Sequence, residues 1–196
     1  AARSDRFFDA TGSATYIAVT AVLLILAPDP DLRTVILAVV IMVWAARLGS
    51  FLLVRNLRSG GDGRFEEIRV NPVRFLSVWT MQGLWVSLTA AAGWIVLASE
   101  QRAPADVFLW LGLALWLLGF GIEAIADAQK SRFRADPANR GRFIASGLWG
   151  WSRHPNYFGE IVLWIGVLVM TLPVLSGWQW IAVLSPVFVI FLLARV

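Results

Sequence analysis

The stretch Gly147-Leu148-Trp149-Gly150-Trp151-Ser152-Arg153-His154-Pro155-Asn156-Tyr157-Phe158-Gly159-Glu160 joins a polar segment to a long apolar one. It gathers an arginine, the only histidine, an asparagine, a tyrosine and a glutamate within a few residues. Proline has a fixed φ and no amide hydrogen, so Pro155 suits the first turn of a helix. Arg153 and His154 then close a loop, and Asn156 to Glu160 form the first helical turns. Asn156 and Glu160 are four apart and share a face. A helix N-terminus offers unpaired N–H groups and a partial positive charge, which suits a phosphate or carboxylate. Glu160 leads straight into the apolar run from Ile161 to Leu172, where a carboxylate is costly without a partner or a task.

Working outward, the same alternation of apolar blocks and polar loops covers all 196 residues. The chain is 58% hydrophobic and 15% charged, with a mean hydropathy of +0.69. Soluble domains carry about 25% charge. The pattern is that of an all-α polytopic membrane helical bundle, one transmembrane domain over residues 1–196. Eleven tryptophans, many near the ends of apolar blocks, fit the membrane interface. The absence of cysteine excludes disulfides, thiol chemistry and zinc–thiolate sites. A single histidine argues against a His-rich metal site, so no metal is expected. Nothing in the charge pattern calls for nucleic acid. Ala1-Ala2-Arg3-Ser4-Asp5 is not a signal peptide. The chain opens without methionine and stops straight after an apolar run, so both ends are expected to be truncated.

About 20 mostly apolar residues are needed to cross the hydrocarbon. Six blocks are expected to do so: Thr11–Ala27, Leu32–Leu57, Pro72–Ala98, one starting near Ala105, Pro155–Leu172 and Trp178–Leu193. Pro28-Asp29-Pro30-Asp31 reads as a tight turn. The fourth block stays apolar to Ile122, then becomes amphipathic through Glu123, Asp127, Lys130 and Arg134, as one long helix. Pro186 should kink the sixth block. Gln82, deep in the third, either bonds a neighbouring helix, the favoured reading, or meets a polar group of the substrate. Six spans put Arg3, Arg6, Arg55, Arg58, Arg64, Arg69, Arg74, Lys130, Arg132, Arg134, Arg140, Arg142, Arg153 and Arg195 on one side, which is 14 of the 17 basic residues. The positive-inside rule makes that side, with the 58–71 and 134–154 loops, cytoplasmic.

Arg47, Glu123, Asp127 and Glu160 are ionisable at membrane depth, and Asp9 heads the first span. All five fall toward the cytoplasmic side, which suggests a polar cavity open to the cytosol. The plain alternative is that Arg47 snorkels and that Glu123 and Asp127 are helix-end charges. Glu123, Asp127 and Arg134 share one helix face, as do Arg47 and Arg55, with Asn56 beside them. Arginine forks clamp phosphates, and carboxylates and amides bind ribose hydroxyls and a nicotinamide carboxamide. No Gly-x-Gly-x-x-Gly follows a strand, so a Rossmann site is excluded. Gly60-Gly61-Asp62-Gly63 reads better as a plain turn than as a phosphate cradle.

Glu123-xxx-Asp127-xx-Lys130, followed by the Gly147–Glu160 stretch, resembles the steroid 5-alpha-reductase superfamily, and most of all its bacterial branch. The Arg-His-Pro-Asn-Tyr core is shared with sterol reductases and with isoprenylcysteine carboxyl methyltransferases. Tyr-Phe-Gly-Glu and the upstream Asp127 favour the reductases. The resemblance implies a seven-helix membrane fold, NADPH in a cytosol-facing cavity and a lipid-like enone entering from the bilayer, here the bacterial inner membrane. It implies that Asn156 and Glu160 hold the nicotinamide end, with Arg153, His154 and Tyr157 in the same motif. Arg47, Arg55 and Asn56 would contact the cofactor from the second helix. Glu123 and Asp127 would take the adenosine or ribose region, Arg134 the phosphates, and Trp164 would wall the pocket. His154 and Arg153 also have a structural reading, as ties between loop and helix. The family tyrosine that polarises the substrate carbonyl falls at Trp44, which has no phenolic proton. Tyr16 and Tyr157 are the only tyrosines. Tyr16, with Asp9 in place of a family glutamate, and Glu160 are therefore the candidate catalytic groups. Two other readings stay open: an S-adenosylmethionine-dependent membrane methyltransferase of a lipid or prenylated group, and a lipid-binding protein that has lost the chemistry.

Overall fold

A computed structural model describes residues 8–59 and 72–195. The Gly60–Gly63 turn and most of the 58–71 loop lie outside the described residues. The described residues are all-helical, with six α-helices in the order of the six apolar blocks: α1 Phe8–Leu26, α2 Leu32–Ser59, α3 Pro72–Ala98, α4 Val107–Ala135, α5 Pro155–Thr171 and α6 Leu184–Leu193. α1 to α4 are long and apolar enough to cross a membrane, and α5 and α6 are shorter apolar helices. The architecture is that of a polytopic helical membrane protein. The chain resolves into two compact units, Ala1–Pro104 and Ala105–Val196.

In the first unit, α1 packs against α2 and α3. The Pro28–Asp31 turn works as its composition suggests. Asp29 takes a positive φ of 47°, and Asp31 caps α2 by accepting from the Thr34 amide at 2.8 Å and its hydroxyl at 2.7 Å. The Arg33 side chain is almost fully buried and donates to the Pro104 carbonyl at 2.8 Å. Arg102 donates to the Asp29 carbonyl at 3.2 Å and to that of Pro28. These two arginines therefore tie the α1–α2 turn to the segment after α3, using carbonyls that no helix satisfies. Gln82 donates to the Phe8 carbonyl at 2.7 Å, bonding α3 to the start of α1 as expected.

In the second unit, Asp106 caps α4 by accepting from the Leu109 amide at 3.1 Å. α4 and α5 are packed along most of their length, and α6 packs on α5. A methyl added at Gly119 would stand 2.5 Å from the Gly159 carbonyl oxygen, and one at Gly159 would stand 2.6 Å from that of Gly119. Gly112 and Gly166 form the same reciprocal pair, at 2.6 Å each way. The lower-numbered glycine of α4 meets the higher-numbered one of α5, so the helices run antiparallel. Each pair is seven residues apart along its helix, which keeps one seam in register over two turns. Without side chains at these points the two backbones approach closely, as small residues allow between membrane helices.

The last block departs from expectation. Gly177–Val183 is 3-10 helix and α-geometry starts only at Leu184. Pro186 therefore lies in the first turn of α6 rather than kinking a continuous helix. There its missing N–H has no bond to lose, and its ring would crowd the carbonyl four residues earlier in a continuous α-helix. The turn ahead is fixed by a capping box, in which Gln179 accepts from the Ser176 amide at 3.0 Å.

Candidate functional site

The glycine seam brings the polar end of α4 beside the start of α5. The backbone of Glu123 passes so near Gly159 that a methyl there would lie 2.7 Å from the Glu123 nitrogen. One turn on, the Asn156 side-chain amide donates to an Asp127 carboxylate oxygen at 3.4 Å. Glu123 and Asp127 are only 2% and 6% exposed. Asn156 Oδ1 is buried and has no hydrogen-bond partner. Because Asp127 takes the NH2 group, the carbonyl oxygen is left as an acceptor, and a buried acceptor without a donor is costly. Glu160 is half-buried on the next turn, and Trp164 is fully buried one turn further.

The loop before α5 is fastened to α4. Trp149 is buried and donates from its indole to the Ala126 carbonyl at 2.9 Å. The Lys130 ammonium sits 4.4 Å from the Trp149 ring centre, a cation–π contact. The Leu148 amide donates to Gln129 Oε1 at 3.0 Å. Gly147, at φ 60°, presses so closely on the Gln129 amide that a side chain would collide with it. Gln129, Lys130 and Trp149 were not singled out as site residues from the sequence. Their adjacency to Asp127 and their place inside the 147–160 stretch were the available signals.

Other expected residues scatter more. The His154 ring is exposed and stacks on Tyr157 at 5.0 Å and 13°. The His154 amide donates to Ser152 Oγ at 3.1 Å, and its carbonyl accepts from Phe158 at 3.2 Å. His154 is the residue just ahead of α5, and these are its backbone bonds to the loop and to the first helical turn. Arg153 is exposed. Arg134 shares a face with Asp127 in the sequence, and it is exposed where Asp127 is buried. It lines a cleft of about 320 Å³ with Asp136, Arg140 and Arg142.

In the first unit, Tyr16 is buried and meets Trp44 edge-on at 5.2 Å and 85°. The neighbouring Trp94 donates from its indole to Thr20 Oγ1 at 2.9 Å. A phenol thus reaches the Trp44 ring from α1. Asp9 lies in the first turn of α1, where a carboxylate also complements the helix dipole. Arg47 is half-buried, Asn56 likewise, and Arg55 is exposed with its guanidinium 6.0 Å from the Phe51 ring centre.

Among known proteins, the chain is 27% identical over 164 residues to an uncharacterised protein of Schizosaccharomyces pombe, covering 68% of this chain and 46% of that protein. It is 38% identical over 86 residues to the Delta(14)-sterol reductase erg24 of the same yeast, covering 36% of this chain and 20% of the reductase. It is 30% identical over 93 residues to the Delta(14)-sterol reductase of Arabidopsis thaliana, covering 41% and 24%. The chain spans less than half the length of each of these relatives. No solved structure matches. The family model described as "Protein of unknown function (DUF1295)" matches residues 1–196, and the chain belongs to that family.

Proposed function

We propose that the protein is a membrane-embedded, NADPH-dependent reductase of an activated carbon–carbon double bond, an enone, in a sterol-like or other lipid. The observation that carries this reading is the Asp127–Asn156 pair with its buried, unbonded Asn156 Oδ1. A carboxamide N–H of nicotinamide matches that acceptor, and Asp127 fixes which way the asparagine points. The similarity to two Delta(14)-sterol reductases supports the same class of chemistry. NADPH, when bound, supplies the hydride, which goes to the β-carbon of the enone. Asn156 and Glu160 are assigned the nicotinamide end, with Arg153, His154 and Tyr157 around it and Trp164 behind it. Glu123 and Asp127 are assigned ribose hydroxyls, and Arg134 a phosphate. Tyr16, with Asp9, is assigned the carbonyl end of the substrate and the proton. Arg47, Arg55 and Asn56 are further candidate cofactor contacts, each to be tested by its own substitution. The six helices are read as six spans, with the 58–71 and 134–154 loops on the cytoplasmic face of a bacterial inner membrane.

Titration of the purified protein with NADPH, read by tryptophan fluorescence, tests this directly. Asn156→Leu should weaken NADPH binding by about tenfold or more, because a buried hydrogen bond is lost. Hydride transfer to an enone lipid should fall with it while the protein stays folded. Tight binding of S-adenosylmethionine with no response to NADPH would overturn the reading. Trp44 favours that second reading, a lipid methyltransferase, because methyl transfer needs no proton donor.

A further inference from the structure

Phe143 and Trp151 are 97% and 94% exposed. The next most exposed large apolar side chain, Ile25 at 79%, lies on a spanning helix. Single exposed apolar residues need no explanation, but two almost bare aromatic rings on one polar loop do. Among the described residues neither ring stacks on another or meets a cation. The loop that carries them is nevertheless well anchored. Trp149 is bonded to the Ala126 carbonyl, and Leu148 to Gln129. The Leu148 carbonyl then accepts from the Trp151 and Ser152 amides at 3.1 and 3.3 Å. Trp151 is thus held out from the level of Ala126 to Lys130, where α4 changes from apolar to charged. That change marks the depth of the headgroups, which is where tryptophan is favoured.

The charges around the two rings have one sign. Arg140 and Arg142 precede Phe143, Arg153 follows Trp151, and all three are exposed. The one carboxylate in the 136–154 loop, Asp136, already accepts from the Ala138 amide at 2.9 Å. We propose that Phe143 and Trp151 form an interfacial anchor that docks the 136–154 loop onto the anionic headgroup layer of the bilayer around α4 and α5. Arginines beside inserted aromatic rings match phosphate-bearing lipid surfaces in both charge and hydrophobicity. This inference does not depend on the proposed reductase activity.

The chain has no cysteine, so Ser146→Cys, exposed and making no side-chain cap bond, gives one attachment point for a polarity-sensitive fluorophore. Ala145→Cys is the substitute if that variant does not fold. The labelled full chain is placed in nanodiscs of phosphatidylcholine with or without phosphatidylglycerol and a headgroup nitroxide lipid. The nitroxide should quench the probe, more strongly with phosphatidylglycerol. Phe143→Ser with Trp151→Ser should abolish the quenching. Arg140→Gln and Arg142→Gln should each lower the docked-to-free ratio on anionic discs by about fivefold. Absence of quenching, or quenching unchanged in the double serine variant, would overturn the proposal. So would release of the probe by saturating NADPH together with weaker NADPH binding by Phe143→Ser, which would assign the loop to the cofactor.

Discussion

Each of the two helical units is held together internally, and by different means. In the second, α4 and α5 touch backbone to backbone through Gly112, Gly119, Gly159 and Gly166. In the first, the contacts of α1 with α2 and α3 run through side chains: Gln82 to Phe8, Trp94 to Thr20, Tyr16 against Trp44, and Ser13 against Gly49, where an added methyl would collide with the serine Cβ. Side-chain bonds fix a few points and allow adjustment between them. A glycine seam fixes the distance between two axes and leaves little slack. The Glu123, Asp127 and Asn156 cluster sits on the seamed pair, so its geometry is set by backbone rather than by long side chains.

The sharpest way to break this contrast is Gly159→Ala. Its methyl would meet the Gly119 oxygen and the Glu123 backbone, neither of which is a flexible chain end. The helices must part, at a cost of about 3 kcal/mol, and the Asp127–Asn156 contact should open with them. Thermal unfolding in detergent and NADPH titration would register both effects. In the first unit Gln82→Leu should cost about 1 kcal/mol in the same unfolding assay, the worth of one interhelical hydrogen bond. A larger loss there than for Gly159→Ala would reverse the comparison. The smallest effect has the opposite sign. Gly121, two residues from Gly119, has nothing within 4 Å of an added methyl. Gly121→Ala should therefore stabilise α4 by about 0.5 kcal/mol through helix propensity.

The helical layout is largely legible in the sequence. Pro72–Ala98 stands as expected, and α4 runs unbroken past its apolar part to Ala135. Block length and turn residues carry that information without help from tertiary contacts. Asp127 and Asn156 are legible as candidates from residue type, but their contact is not, because it depends on how α4 and α5 cross. The crossing is written in glycines seven apart, a signal easily lost among 16 glycines. Arg33 and Arg102 are two of the three basic residues outside the fourteen read as marking the cytoplasmic side. In the fold they also bond turn carbonyls, a role no local pattern reveals. Arg134 lies two turns beyond Asp127 and is exposed where Asp127 is buried, a difference that a shared helix face does not foresee. The break before Leu184 is a tertiary choice, made where Ser176 and Gln179 cap a 3-10 turn ahead of Pro186.

The length of α5 has a further physical consequence. Taken as one of the six proposed spans, its 17 residues rise about 26 Å, against a hydrocarbon thickness of about 30 Å. Such a mismatch is relieved by thinning of the surrounding lipid or by drawing the flanking segments inward. Either way, water would come nearer to Asn156 and Glu160 than in a bilayer of full thickness. A protein of this shape should favour thin membranes, and stretching the acyl chains of the host lipid should strain this helix before the longer ones.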